Sequence, residues 1–74
     1  MSLFYKDIMT GKIRRTQAVP VAVTRDGPLN IEGLRLEQPR TGNVLWIPKY
    51  LLQGAAITHF WEIKRKQEAS HDHP

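Results

Sequence analysis

The residues of this chain that are best suited to chemistry are its histidines, and they do not form a catalytic set. His71, Asp72 and His73 are consecutive, and two imidazoles beside a carboxylate could hold a divalent ion weakly. The surrounding sequence offers no fourth ligand and no supporting hydrogen-bond partners, so a solvated terminal segment is the better interpretation. His59 stands alone, and a histidine in the core or at a strand edge accounts for it.

Other arrangements that support catalysis are not visible in the sequence. The chain has no cysteine, no recognisable Ser-His-Asp arrangement and no paired carboxylates. Its Asp26-Gly27 and Thr41-Gly42-Asn43 segments are typical of turns and not of phosphate-binding loops. We therefore expect a protein without catalytic residues, bound metal or cofactor.

Positive charge is the more distinctive chemical feature. The formal net charge is +4 and the isoelectric point is about 9.9, which favours partners such as nucleic acid, an acidic protein surface or anionic lipid. The basic residues concentrate in one cluster near the start of the chain, residues 12–15, and in a second near its end, residues 64–66.

The first cluster has the alternation of a strand. Lys12 and Arg14 would then project from one face and Arg15 from the other, and Lys6 could join them from a neighbouring strand. Such cations can bind phosphates or carboxylates. They can equally form a solvated face that keeps the protein soluble, and both interpretations remain open.

The second cluster, Lys64, Arg65 and Lys66, follows an apolar element. It could follow a phosphate backbone or lie on an acidic groove, or it could be the charged end of an edge strand. We therefore treat it as a possible second basic patch.

Aromatic residues lie beside the first cluster. Phe4 and Tyr5 are adjacent in a strand-like segment, so one should face the core and the other should be free to contact a partner. Trp46 and Trp61 are expected in the core, where their large area anchors a small domain.

Turn residues divide the first half of the chain into short strands. Thr10-Gly11 predicts a hairpin between residues 3–9 and 12–15. The segment Ala18–Thr24 alternates β-branched residues, and Pro20 restricts it to an edge or bulged strand because proline has no N–H. Residues 29–32 and 34–37 alternate with opposite parity around Gly33, which predicts a β-bulge there.

The second half predicts a loop, a strand, a short helix and one ambiguous element. Residues 38–43 read as a loop and 44–47 as an apolar strand, after which Pro48 can begin one or two helical turns that Gly54 ends. Residues 55–66 fit either a strand or a helix, and their β-branched and aromatic content favours the strand. Residues 67–74 are polar and are expected to be a disordered tail.

These segments predict an α+β fold, a small antiparallel sheet of four to five strands with one short helix. A chain of 74 residues forms one domain, here residues 1–66, and a domain of this size seldom builds a deep pocket. The absence of cysteine fits a reducing cytoplasm. The first residues lack the pattern of a signal peptide, and no apolar run is long enough to span a bilayer.

The opening Met1-Ser2-Leu3-Phe4-Tyr5-Lys6-Asp7-Ile8, in a compact, basic and cysteine-free chain, resembles small bacteriophage-encoded transcription regulators that bind bacterial RNA polymerase. The resemblance implies a non-catalytic protein that acts in the host bacterial cytoplasm during host takeover. It implies docking on the largest polymerase subunit near the RNA exit channel, inhibition of promoter initiation and antitermination, alone or beside the NusA elongation factor. It supplies no residue motif.

The partner-binding residues are therefore chosen from the charge and aromatic pattern alone: Phe4, Tyr5, Lys6, Lys12, Arg14 and Arg15. The same cations could touch nascent RNA. Two further hypotheses remain, a small basic nucleic-acid-binding protein and a virion assembly protein that self-associates through the strand containing Pro20. We expect a monomer, as the hypothesis of a polymerase-binding regulator favours.

Overall fold

A computed structural model describes residues 2–71 and confirms the α+β class. The elements in chain order are β1 (Leu3–Lys6), β2 (Ile13–Thr16), β3 (Val19–Thr24), β4 (Gly33–Glu37), β5 (Val44–Pro48), a 3-10 turn (Lys49–Leu51), β6 (Leu52–Gln53) and α1 (Ala55–His71). The predicted single sheet of four to five strands is instead two three-stranded antiparallel sheets, ordered β2-β1-β6 and β3-β4-β5.

Two sequence predictions about the strands are confirmed. The segment around Thr10-Gly11 joins β1 and β2 as a hairpin, and the two strands pair antiparallel from Leu3 opposite Thr16 to Lys6 opposite Ile13. The strand with Pro20 lies at a sheet edge, and its register with β4 shifts just after that residue. A proline without an N–H is tolerated at both kinds of position.

The bulge predicted at Gly33 is wrong, and so is the strand predicted over residues 29–32. Gly33 pairs regularly with Thr24 and Pro48, and residues 29–32 precede β4 as an irregular segment. Glycine is needed at position 33 because a Cβ there would lie only 2.4 Å from the indole ring of Trp46. The sequence signal was therefore real, but its cause is a close approach to a side chain.

The core lies between the two sheets and α1. Leu34 and Leu36 of β4 are fully buried, and Phe60 of the helix is fully buried in the same apolar cluster. Leu3 and Leu52 extend that cluster to the first sheet. One helix thus covers the inner faces of two small sheets, neither of which could bury enough apolar surface alone.

The strand favoured for residues 55–66 is wrong, because these residues lie in α1. Ala56, Phe60, Ile63 and Gln67 recur at helical spacing on the side that faces the sheets, and the first two are fully buried. Tertiary packing of this stripe outweighs the β propensity of single residues. The predicted boundary between domain and tail, at residue 67, falls inside the helix, and residues 72–74 lie outside the described part of the chain.

The short helix predicted between residues 48 and 53 is reduced to one 3-10 turn, Lys49–Leu51, which leads directly into β6. Within residues 2–71 there is no helix with the length and apolar character needed to cross a bilayer.

Candidate functional site

The hairpin of β1 and β2 brings the sequence-predicted residues to two opposite faces of the first sheet. Tyr5 lies opposite Arg14, whereas Phe4 lies opposite Arg15. Successive side chains of a strand alternate between faces, so Tyr5 and Arg14 share the inner face and Phe4 and Arg15 share the outer one. Lys6 shares the outer face with Arg15, which makes the suggestion that it joins Lys12 and Arg14 wrong.

The inner face is structural. Tyr5 is half-buried and packs against the core, beside the buried Leu3. Arg14 forms an ion pair with Asp7 through its Nε. The charge of Arg14 is therefore compensated within the hairpin, although its side chain is 53% exposed, and its predicted role in binding a partner stays a prediction.

Asp7 organises the turn of the hairpin as well as pairing with Arg14. Its carboxylate accepts a hydrogen bond of 2.8 Å from the backbone N–H of Met9, and its own N–H donates to the carbonyl of Lys12 at 2.8 Å. The Met9 N–H and then the Arg14 guanidinium stabilise the ionised carboxylate and lower the pKa of Asp7. Lys12 itself is exposed in this turn, just before β2.

The outer face presents exposed apolar and charged side chains. Phe4 is 45% exposed and Ile13 is 55% exposed, and their positions are diagonal neighbours across the two strands. Lys6 and Arg15 occupy the other two positions of this face, and within residues 2–71 neither forms an ion pair. We call these four residues, Phe4, Lys6, Ile13 and Arg15, the hairpin face. Ile13 was not among the residues chosen from the sequence, although its alternation with Arg14 in the strand could have identified it.

The second basic patch lies on α1 and not at the end of a strand. Lys64 donates a hydrogen bond of 2.7 Å to Glu32, which ties the helix to the segment before β4. This bond and the charge of Lys64 lower the pKa of Glu32. Arg65 and Lys66 are exposed, and neither forms an ion pair within the described chain.

Trp61 contradicts the prediction that both tryptophans belong to the core. It is 44% exposed, with the ammonium groups of Lys49 and Lys64 at 5.0 Å and 5.3 Å from its ring centroid. The ring of the buried Phe60 meets it edge-on, with centroids 5.2 Å apart. Trp46 is half-buried against Gly27 and Gly33. This exposed indole with two nearby cations is a surface feature that a strand assignment for residues 55–66 concealed.

The described part of the chain holds no candidate metal site. His59 is half-buried on α1, and residues 2–71 contain no group of three His, Cys, Asp or Glu side chains that could hold a metal ion. His71 ends the helix, whereas Asp72 and His73 lie outside the described residues.

Comparison of the chain with protein-family models, with curated proteins and with solved structures finds no match in any of the three.

Proposed function

We propose that this protein is a non-catalytic regulator of transcription that binds bacterial RNA polymerase through the hairpin face. The observation that carries the proposal is the arrangement of that face: two exposed apolar side chains, Phe4 and Ile13, lie at positions flanked by Lys6 and Arg15. Protein interfaces commonly have an aromatic or apolar centre with a charged rim. The resemblance of residues 1–8 to phage regulators supplies the identity of the partner.

Charge indicates the kind of polymerase surface involved. The protein has a net charge of +4, and the two cations of the hairpin face lack a partner within residues 2–71. An acidic patch with an apolar centre would complement this face, and its charge would accelerate association at low salt. We propose the largest subunit near the RNA exit channel as the location, with inhibition of initiation and antitermination as the consequences, beside NusA where that factor is present.

The test is the affinity for purified RNA polymerase of a variant with Phe4→Ser and Ile13→Ser. Both side chains are exposed, so the substitutions should leave the fold intact. Removing two central contacts should weaken binding by at least about tenfold. Val19→Ser with Val21→Ser is the matched control, because these apolar residues are equally exposed on a strand of the other sheet. Equal affinity of the two variants would contradict this site.

A second candidate function, binding of single-stranded nucleic acid, is favoured by Trp61. An exposed indole with nearby cations can stack on a base while the cations contact phosphates. Lys49 lies close to the ring, and Arg65 and Lys66 continue the positive charge along the helix, whereas the nearby Lys64 is paired with Glu32.

This second function is tested by the binding of a short single-stranded RNA at several salt concentrations. Trp61→Ala should weaken binding by about tenfold, whereas Ile57→Ala should have little effect, although both residues lie on α1 and are equally exposed. The logarithm of the affinity should fall with the logarithm of salt with a slope of about −0.7 for each phosphate contacted. Affinity that is independent of salt would exclude this function.

A further inference from the structure

Within residues 2–71, the outer edge of β5 carries backbone groups without a partner. Two hydrogen bonds beside the ends of β4 and β5 show which backbone groups of β5 face β4. The N–H of Gln38 donates to the carbonyl of Asn43 at 2.8 Å, and the N–H of Lys49 donates to the carbonyl of Glu32 at 3.0 Å. Hydrogen-bonding direction alternates along an antiparallel strand, so the odd-numbered residues of β5 face β4. The even-numbered residues consequently direct their backbone groups away from the sheet.

These outward groups form a short pairing edge. Val44 and Trp46 each present an N–H and a carbonyl, and Pro48 presents only a carbonyl, because proline has no N–H. No other strand pairs with this edge within residues 2–71, where β5 is the last strand of its sheet. The strand also contains no charged residue. Charged side chains are the usual protection of an edge strand against pairing with another chain.

The opposite edge of the same sheet is protected. The side-chain amide of Gln67 accepts a hydrogen bond of 2.7 Å from the N–H of Val23 and donates one of 3.1 Å to its carbonyl. This amide therefore occupies the place of a neighbouring strand on β3. The fold covers one edge of the sheet with its helix and leaves the other edge, on β5, available.

An apolar groove runs beside the available edge. It has a volume of about 260 Å³ and lies between β5 and the end of β1 with the turn that follows it. A second hollow of about 310 Å³ shares Ile8, Trp46, Pro48 and Tyr50 with it and adds Leu29. Ile8, Leu29 and Tyr50 are exposed apolar side chains that a ligand in the groove would cover.

Cations flank the groove and indicate the charge of its occupant. Lys6 lines it directly, and Arg25 and Lys49 line a neighbouring hollow that also contains Tyr50. The nearby carboxylates of Asp7 and Glu32 are each paired with a cation. A second copy of this chain would bring the same cations and another charge of +4, whereas an acidic segment would be attracted.

From these observations we infer that β5 accepts an extended segment of another protein as an additional strand. The segment has apolar side chains that fill the groove, alternating with acidic residues that meet its cations. Backbone hydrogen bonds to Val44 and Trp46 supply affinity, and the groove supplies specificity for alternate side chains, as in other cases of strand addition. This site shares Lys6 with the hairpin face but otherwise uses different residues, and it does not depend on polymerase being the partner.

The experiment measures fluorescence anisotropy of a short labelled peptide in which Val and Ile alternate with Asp and Glu. Val44→Pro removes an outward N–H without removing a bond to β4, so it should weaken binding about fivefold relative to Val44→Ala, which shortens the same side chain and keeps the N–H. Position 44 is exposed and begins the strand, where proline is tolerated. Far-UV circular dichroism and thermal unfolding establish that both variants fold.

Peptides N-methylated on alternate amides distinguish strand addition from simple apolar contact. An added strand pairs through one edge only, so only every second amide of the peptide faces β5. Methylation of the amides that face β5 should abolish binding, and methylation of the amides that face away should leave binding nearly unchanged. Equal binding of both methylated peptides, or of Val44→Pro and Val44→Ala, would overturn the proposal. So would undiminished binding of a peptide with lysine in place of its acids, or a dimer of the protein that Val44→Pro disrupts.

Discussion

Replacing Gln67 by alanine should destabilise this protein, although the residue is exposed and lies near the end of the helix. Its amide makes two hydrogen bonds to the backbone of Val23, at 2.7 Å and 3.1 Å, across a separation of 44 residues in the sequence. These bonds attach the last turns of α1 to the edge of the second sheet. Alanine removes both bonds and leaves the two backbone groups of a buried residue without them.

The expected cost follows from the number of bonds and their exposure. Each hydrogen bond contributes about 1 kcal/mol net, and water can partly replace the amide of an exposed residue, so we expect a loss of about 1–2 kcal/mol. Alanine is also the better helix former, which works against the loss by a few tenths of a kcal/mol. For a domain of this size the melting temperature should fall by about 4–16 °C and the urea midpoint by about 1–2 M.

Urea titration followed by circular dichroism measures this effect, with Lys66→Ala as the control. Lys66 is the preceding residue of the same helix and makes no side-chain hydrogen bond within the described residues. Its substitution should change the stability by less than about 0.5 kcal/mol. Equal stability of the two variants would refute the role given to Gln67 and with it the view that the second sheet has one protected edge.

A third variant, Gln67→Glu, separates the accepting bond from the donating one. Glutamate retains an acceptor for the N–H of Val23, but when ionised it cannot donate to the carbonyl of the same residue. It should therefore be less stable than the wild type at neutral pH. The difference should shrink below about pH 4, where the protonated acid can donate again. A difference that does not change with pH would show that the donating bond contributes nothing.

Three further predictions concern the fold and its turn. Gly33→Ala should cost about 1–3 kcal/mol in a chemical denaturation, since its Cβ would meet the ring of Trp46 at 2.4 Å; an unchanged midpoint would refute the close approach. Phe60→Ala should cost about 3–5 kcal/mol and leave the protein largely unfolded by circular dichroism, because Phe60 is 0% exposed; a folded spectrum would place it outside the core. The backbone N–H of Met9 and the guanidinium of Arg14 lower the pKa of Asp7, which stabilises the fold above the unfolded pKa. This contribution is lost as the pH falls through the lower folded value, so a melting series down to about pH 2 should decline less steeply for Asp7→Asn than for the wild type. Parallel curves would contradict the lowered pKa.

The elements that depend on local chemistry were predictable from the sequence. Two turn residues between apolar runs predict the hairpin, and Pro20 predicts an edge strand with irregular register, because the missing N–H acts locally. The helix over residues 55–71 was not predictable from the sequence, since its β-branched and aromatic residues fit the period of a strand as well as that of a helix. The helix is selected because it buries the apolar faces of both sheets, and the pattern of a single sequence does not contain that information.

The candidate site was predictable only where it depends on local alternation along a strand. Alternation predicts that one of Phe4 and Tyr5 is exposed, and the structure identifies it as Phe4. The ion pair between Arg14 and Asp7 depends on the geometry of the turn around Asp7, which composition does not specify. The cations beside Trp61 come from separate elements, Lys49 before β6 and Lys64 on α1, and only the folded arrangement brings them together.

The most direct test of the proposed function is the elution of the purified protein with bacterial RNA polymerase from a sizing column, at moderate salt and after nuclease treatment. We expect a stoichiometric complex for the wild type and for the variant with Val19→Ser and Val21→Ser, and loss of the complex for the variant with Phe4→Ser and Ile13→Ser. Failure of the wild type to elute with the polymerase, or a complex that disappears with the nucleic acid, would contradict the proposal that this protein is a polymerase-binding regulator.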